Sequence, residues 1–333
     1  MRGINITEGR IRHSAELDRY YTGSVNKLTK YKLTTGDLVI GMDGSKVGRN
    51  SAIVSPKENG SYLVQRVCRI KSCISNDLIL QLVNNHKFHK YVDMVKTSSA
   101  IPHISLKDIQ NFPIAVPSVQ NEADKISKLF HLLDERIATQ NKIIDKLQSL
   151  IKGISNIIFA SIQGREYRMG EIATITNGDS NVQDAVTEPK EGMYPFFDRS
   201  EDIKYLPTFL FDKEALIYPG EGAEFMPRYI KGKFALHQRC YAIFDFEDIV
   251  NVQFLYFYLK TQNSYFIRNA VGSTVPSLRL DTFQKLKVII PPKVMQRKVS
   301  LCLSSIEQKC NAEKVILQSL LKQKQYLLRQ MFI

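Results

Sequence analysis

The sequence predicts a two-domain protein of the α/β (α+β) class, with two duplicated modules and two long helices. Three observations lead there. A seventeen-residue stretch occurs twice, as IPHISLKDIQNFPIAVP from Ile101 to Pro117 and as VPSLRLDTFQKLKVIIP from Val275 to Pro291. Pro102/Pro276, Leu106/Leu280, Gln110/Gln284 and Pro117/Pro291 are identical, and most other positions pair apolar with apolar. Each copy then runs into a long periodic segment, ending in Ile-Phe at Phe159 or Met-Phe at Phe332. A shorter echo, LVQRV at Leu63–Val67 and LHQRC at Leu236–Cys240, extends the duplication upstream. So long a period is not that of a solenoid; it gives two copies of one module, and a chain of 333 residues has room for both cores.

The periodic segments are helices whose apolar residues alternate steps of four and three. The first seam holds Ile126, Phe130, Leu133, Ile137, Gln140, Ile144, Leu147, Ile151, Ile154 and Ile158. Shifted by 173, it becomes Val299, Leu303, Ile306, Cys310, Glu313, Leu317, Leu320, Lys324, Leu327 and Met331. Sustained heptads of this kind seek a partner helix, and the simplest partner is the other copy. From Ile126 to Ile158 a straight helix runs about 50 Å at about 1.5 Å per residue. Pro117-Ser118 and Pro291-Pro292 end the strand-like runs ahead of them, with Ser118 or Asn121 as caps for the first.

Ahead of the helices, short apolar runs separated by Gly, Pro, Asn and Asp read as strands: Asp37–Ile40, Ala52–Val54, Leu216–Tyr218, Cys240–Phe244 and Lys287–Ile290. One short helix per module is expected, Asp77–Tyr91 and Val252–Ile267, the aromatics of the latter in the core. The module boundaries fall at 1–117, 118–160, 161–291 and 292–333.

The net charge is +13, distributed unevenly. Residues 1–100 hold 16 Lys and Arg against 8 Asp and Glu, residues 163–272 hold 12 against 16, and residues 273–333 hold 11 against 3. The basic first module suggests a polyanionic partner; the acidic second would need a local basic patch. The five scattered cysteines, Cys68, Cys73, Cys240, Cys302 and Cys310, read as reduced thiols. No apolar run approaches the ~18 residues of a membrane span, and the N-terminus lacks a signal-peptide core, so a soluble cytoplasmic protein is expected.

A catalytic constellation is hard to find. Gly41–Arg49 and Pro219–Phe225 are Gly-rich turns without the phosphate-loop spacing. His86 and His89 have metal-like spacing but no carboxylate at the usual offsets, so no metal site is expected. Asp37, Asp43 and Lys46 could form half of a metal nuclease site, yet the second module has no lysine in register. Polar loops remain that could read DNA. The first module offers Lys46, Arg49, Asn50, Gln65, Arg66, Ser98 and Ser99; the second offers Arg228, Lys231, Lys233, Gln238, Arg239, Ser273 and Thr274. Arginine suits guanine edges, Asn and Gln suit adenine, and hydroxyls suit phosphates. The recurring pair Gln65-Arg66 and Gln238-Arg239 suggests a shared structural or binding role.

With these residues in view, the chain resembles the specificity subunits of type I restriction-modification systems. The resemblance rests on the run from Ser99 through Pro102 to Pro117, repeated from Ser273 through Pro276 to Pro291, each leading into a long helix. It implies two target-recognition domains that read the halves of a split, double-stranded DNA target. It also implies an antiparallel helical spacer between them, with a role in phage defence. The expected partners are DNA methyltransferase subunits and a restriction/translocase subunit. S-adenosylmethionine, ATP and magnesium would belong to those partners, and this chain would carry no cofactor and no catalysis of its own.

The first module departs from the pattern. It has no counterpart of Met169-Gly170-Glu171-Ile172-Ala173. A missing edge strand is therefore expected there, leaving the first recognition domain weakened, completed by a partner chain, or supplied by residues from an upstream start. Two rival readings stay open: a metal-dependent DNA endonuclease using Asp37, Asp43 and Lys46, and an assembly scaffold that no longer reads DNA.

Overall fold

The computed structural model describes residues 1–7 and 9–331; Phe332, expected as the closing phenylalanine of the second helix, lies outside the described residues, as do Glu8 and Ile333. Two compact units each hold a core, one of Met1–Asn141 with Val315–Ile333, the other of Lys142–Lys314.

The first unit begins with a hairpin of β1 (Ile6–Thr7) and β2 (Arg10–Ile11). Strands β3 (Leu38–Gly41), β4 (Ser51–Ile53) and β5 (Val67–Ile70) form an antiparallel sheet in the order β4-β3-β5. Every residue of β3 is buried because both its faces are covered. Leu38 and Ile40 meet the helices α1 (Asn76–Val83), α2 (His86–Val95) and α3 (Leu106–Asn111); Val39 meets Ile6, Leu33, Ala52 and Val54. The single helix expected over Asp77–Tyr91 is two, broken at Asn84-Asn85. The Asn85 side chain accepts from the Lys87 amide and so caps a new helix, a competition with the backbone that disfavours Asn inside helices. α3 opens with a capping box between Ser105 and Asp108. The strand-like run at 113–116 is not a strand, since nothing described lies beside it to pair. The long helix α4 (Gln120–Ser161) has 42 residues. It starts between the two expected caps, Ser118 and Asn121: the Val119 carbonyl takes the first helical bonds, and Asn121 lies inside the first turn.

The second unit opens with β6 (Arg165–Arg168), the one-turn α5 (Met169–Ile172) and β7 (Thr174–Asn177). Then come β8 (Tyr194–Phe197), β9 (Lys204–Leu206), β10 (Phe211–Pro219), β11 (Arg228–Leu236) and β12 (Cys240–Phe244), in a sheet ordered β7-β12-β10-β11-β8-β9. Residues of β10 alternate between two cores, Leu216 and Tyr218 toward the helices, Ala215 and Ile217 toward Phe197 and Phe234, the period-2 signature of a strand covered on both faces. The helices are α6 (Val252–Lys260), α7 (Asn263–Asn269) and α8 (Leu280–Gln284). Here too the expected single helix, Val252–Ile267, divides, with Thr261 bonding back to the Tyr258 carbonyl. Its aromatics Phe254, Phe257 and Tyr258 are buried, as expected. Strand β13 (Lys287–Ile290) pairs antiparallel with β6, and α9 (Lys293–Met331) closes the chain.

The two long helices run antiparallel. In the first unit, Ile126 and Phe130 near the start of α4 share a core with Leu327 near the end of α9. In the second, Ile154, Ile158 and Phe159 near the end of α4 share one with Val299 and Leu303 near the start of α9. Phe130, Leu133, Ile144, Leu303 and Leu320 are buried; Ile126, Ile137, Leu147, Ile151, Ile306, Leu317 and Leu327 are half-buried. Met331 alone of the seam is exposed. The polar breaks are also covered: Lys324 meets Asp134 at 2.5 Å and the buried Glu313 meets Lys309 at 2.5 Å. Among the described residues no helix is long and apolar enough to cross a membrane.

Candidate nucleic-acid interface

In each module three loops named from the sequence are held together by the same three backbone hydrogen bonds. In the first, the Met42 amide donates to the Arg66 carbonyl at 2.9 Å, the Gly44 amide to Pro102 at 3.0 Å, and the Ile104 amide to Met42 at 3.0 Å. In the second, Gly220 donates to Arg239 at 2.9 Å, Gly222 to Pro276 at 3.0 Å, and Leu278 to Gly220 at 2.7 Å. The Gly-rich turn, the Gln-Arg turn and the loop ahead of the repeat thus form one cluster in each module. Glycine is required at two points: Gly44 has φ +89°, and a Cβ on Gly220 would lie 2.1 Å from the Arg239 carbonyl oxygen.

The Gln-Arg dipeptides lead into β5, buried at Val67 and Cys68, and into β12, buried throughout, and both arginines hold the Gly-rich turn through their carbonyls. Their conformations differ, because Arg66 is left-handed at φ +69° and Arg239 is not. Side chains of Gln65, Arg66, Gln238 and Arg239 are exposed, while the Arg239 guanidinium reaches Glu221 at 3.0 Å.

In the first module Lys46 is exposed, and Lys46 and Asn50 line a cleft of about 500 Å³ with Thr7, Arg10 and Arg12. Three of those five side chains are basic, which makes this the clearest anion-facing surface of the unit. Arg10 and Arg12 were missed in the sequence reading; their one signal was the spacing that puts both on one face of an extended segment. Arg49 is committed elsewhere, 2.6 Å from Asp93, whose carboxyl is held down at about 2 by hydrogen bonds from Arg49 and Lys96. Ser98 and Ser99 are exposed. The loop is tied internally: Ser99 donates to the Ile101 carbonyl at 2.8 Å, and Thr97 meets both Ser99 and His103 at 3.0 Å.

The second module corrects one expectation. Arg228 is an internal brace: it donates to the carbonyls of Ser200 at 2.8 Å and of Asp198, and stacks 5.0 Å from the Phe197 ring centre. Burial lowers its pKa. Sequence reasoning counted it as a surface cation because the residue type gives no depth. Lys231 and Lys233 are exposed but stand in register with Glu214 and Asp212 across β10 and β11, and Lys233 covers the Phe209 ring at 4.7 Å. This local neutralisation accords with the acidic balance of the module. Ser273 and Thr274 are exposed in a loop whose Gly272 has φ +103°.

Asp37 lies buried, accepting from the Thr34 amide at 2.9 Å and facing Lys71 at 3.6 Å, so it braces β3. Among the described residues no three His, Cys, Asp or Glu gather to hold a metal. All five cysteines are free thiols, and burial pushes Cys68 and Cys240 up to about 11.

The family described as type I restriction modification DNA specificity domain matches this chain twice, over residues 4–149 and 164–322. The Escherichia coli type I restriction enzyme EcoDI specificity subunit is 29% identical over 133 residues, 39% of this chain and 28% of that protein. The aligned part thus spans less than a third of the EcoDI subunit. A crystal structure of the S subunit of a type I restriction-modification system from M. genitalium has a TM-score of 0.68 and 17% identity, covering 91% of this chain and 84% of that one. A second, from a study of complex assembly and conformational transition of the type I R-M system, has a TM-score of 0.50 and 15% identity, covering 90% and 82%. These likenesses concern the fold; the double sequence match gives the family. With two modules wired by the same loop clamp and joined by antiparallel helices, the chain belongs to the type I restriction-modification DNA specificity family, whose members are non-catalytic specificity subunits.

Proposed function

We propose that this chain reads a bipartite double-stranded DNA target, one half-site per module, and brings methyltransferase and restriction subunits to it. The observation that supports this best is the duplicated loop clamp. It presents the same three loops in both modules on rigid sheet ends, and two half-sites at fixed separation are what a duplicated reader requires on a helical ligand. The antiparallel helices serve as the spacer between the modules. In this reading S-adenosylmethionine, ATP and magnesium bind on the partner subunits, and the chain acts in the cytoplasm.

The test is co-purification with the neighbouring methyltransferase subunits, followed by methylome sequencing of the host. A motif of two short half-sites with a fixed gap is expected. A stable complex that leaves no motif would overturn the reader function in favour of a scaffold.

A further inference from the structure

The acidic second module needs a local excess of positive charge to face DNA, and its loop clamp holds one. Lys204, Lys213 and Lys231 each face a carboxylate of their own, Asp198 at 2.6 Å, Asp245 at 2.8 Å and Glu214 at 4.0 Å. Arg199 and Arg239 instead share Glu221. The Arg239 Nη1 donates to both Glu221 oxygens, at 3.0 and 3.1 Å, and the Arg199 Nη1 lies 4.0 Å from Oε2. The Glu221 side chain is 19% exposed, against 62% for Arg239 and 69% for Arg199. Two exposed guanidiniums on one carboxylate leave a positive charge uncompensated at the clamp.

The backbone on both sides of this pair is pinned. Glu221 stands between Gly220, whose amide donates to the Arg239 carbonyl, and Gly222, whose amide donates to the Pro276 carbonyl. The Arg239 amide donates in turn to His237 Nδ1 at 3.2 Å. An exposed ion pair stabilises a fold very little. Its effect is on the arginine, whose long side chain loses rotamer freedom and is held in one direction. With Nη1 engaged by the carboxylate, the parallel Nε–H and Nη2–H edge of the guanidinium is left for another pair of acceptors. In the major groove the O6 and N7 of guanine are the acceptors that match such a fork.

We propose that Arg239 reads a guanine in the half-site of the second module and that Glu221 is the positioning residue that aims it. The inference rests on the DNA-reading function proposed above and adds which side chain reads and which base it takes. The first module is not built this way. There Asp43 answers to Glu221 and Arg66 to Arg239, but the carboxylate is one methylene shorter and Arg66 is left-handed at φ +69°. Among the described residues no ion pair joins those two. The assignment is therefore confined to the second module.

The experiment uses the full chain, co-purified with its methyltransferase subunits, and a duplex carrying the motif found by methylome sequencing. Each guanine of the motif, on either strand, is replaced in turn by 7-deazaguanine, which lacks the N7 acceptor. At one guanine the replacement is expected to weaken binding about tenfold. Arg239→Lys keeps the charge and loses the fork. It should weaken binding to the natural duplex by a similar factor and abolish the effect of the replacement at that guanine. Glu221→Gln keeps the size and loses the charge. It should reduce the effect at the same guanine to about threefold, with the other half-site and the thermal midpoint unchanged. A merely structural pair would move the midpoint and leave the preference at one base alone. Arg239→Lys or Glu221→Gln chains that discriminate every replacement as the unchanged chain does would overturn the inference, as would a motif with a half-site free of guanine on both strands in each half. These results leave the bipartite motif, and so the reader function, in place. An unchanged chain that yields no motif would overturn that function and the inference together.

Discussion

Gly44 and Pro102, 58 positions apart in sequence, are joined by a backbone hydrogen bond of 3.0 Å, and Gly222 and Pro276 repeat it at the same length. The proline that marks the repeat is therefore an acceptor that pins the Gly-rich turn. Gly44 reaches it in a left-handed conformation that side chains adopt at a cost. Gly44→Ala should destabilise the first module by about 1–2 kcal/mol. Gly153, inside α4 with open space where a Cβ would go, is the internal control: Gly153→Ala should stabilise by about 0.5–1 kcal/mol. Denaturant unfolding of both variants measures this, and the opposite signs are the prediction.

Ile144 is buried in the helix seam. Ile144→Asp places an unpaired charge there and should cost about 3–5 kcal/mol. Ile151, half-buried, should cost less when changed to Asp. Thermal melts followed by circular dichroism check the order. If a double Ile144→Asp, Ile151→Asp chain kept joint specificity for both half-sites, the helices would not be the spacer.

Asp198 carries a pH dependence. Burial pushes its carboxyl up, but Lys204 at 2.6 Å and the Ser200 hydroxyl and amide outweigh this, so the folded pKa lies below 3.8. For a depressed carboxylate the contribution to stability is present above pH 3.8 and is lost as pH falls through the folded value. Asp198→Asn should lose about 1–3 kcal/mol at pH 7. The gap to the unchanged chain should close as the pH is lowered below 3.8. Unfolding titrations at several pH values read it out.

Lys46 lines the basic cleft of the first module. Lys46→Ala should weaken DNA binding by a similar factor on cognate and unrelated sequences and reduce the salt slope by about 1, the mark of a phosphate contact. Arg228→Ala, by contrast, should lower stability, since its guanidinium holds the Asp198 and Ser200 carbonyls. Filter binding across a salt series, beside a melt, separates the two.

Much of the fold was legible in sequence because its signals are local. The alternation of four and three that named Ile126 to Ile158 places all ten of those residues inside or half inside the structure. Even Gln140 and Glu313, read as breaks, are buried seam positions. The candidate loops were legible as loops, and three of them in each module come together as a cluster. Their roles were less so. Arg66 and Arg239 act on the Gly-rich turn through carbonyls, Arg49 is taken by Asp93, and Arg10 and Arg12 join from a hairpin whose own pattern is short.

The sequence by itself determined the duplication, the helix seam and the punctuation of Gly and Pro, because periodicity and backbone freedom are properties of neighbours along the chain. The tertiary structure alone decided which equivalent residues share an environment. Val288 and Ile114 come from the same position of the repeat, yet one is sealed by β6 and the other stands open. Burial depends on the strand that arrives from elsewhere in the chain, and no pattern within the repeat records whether it does.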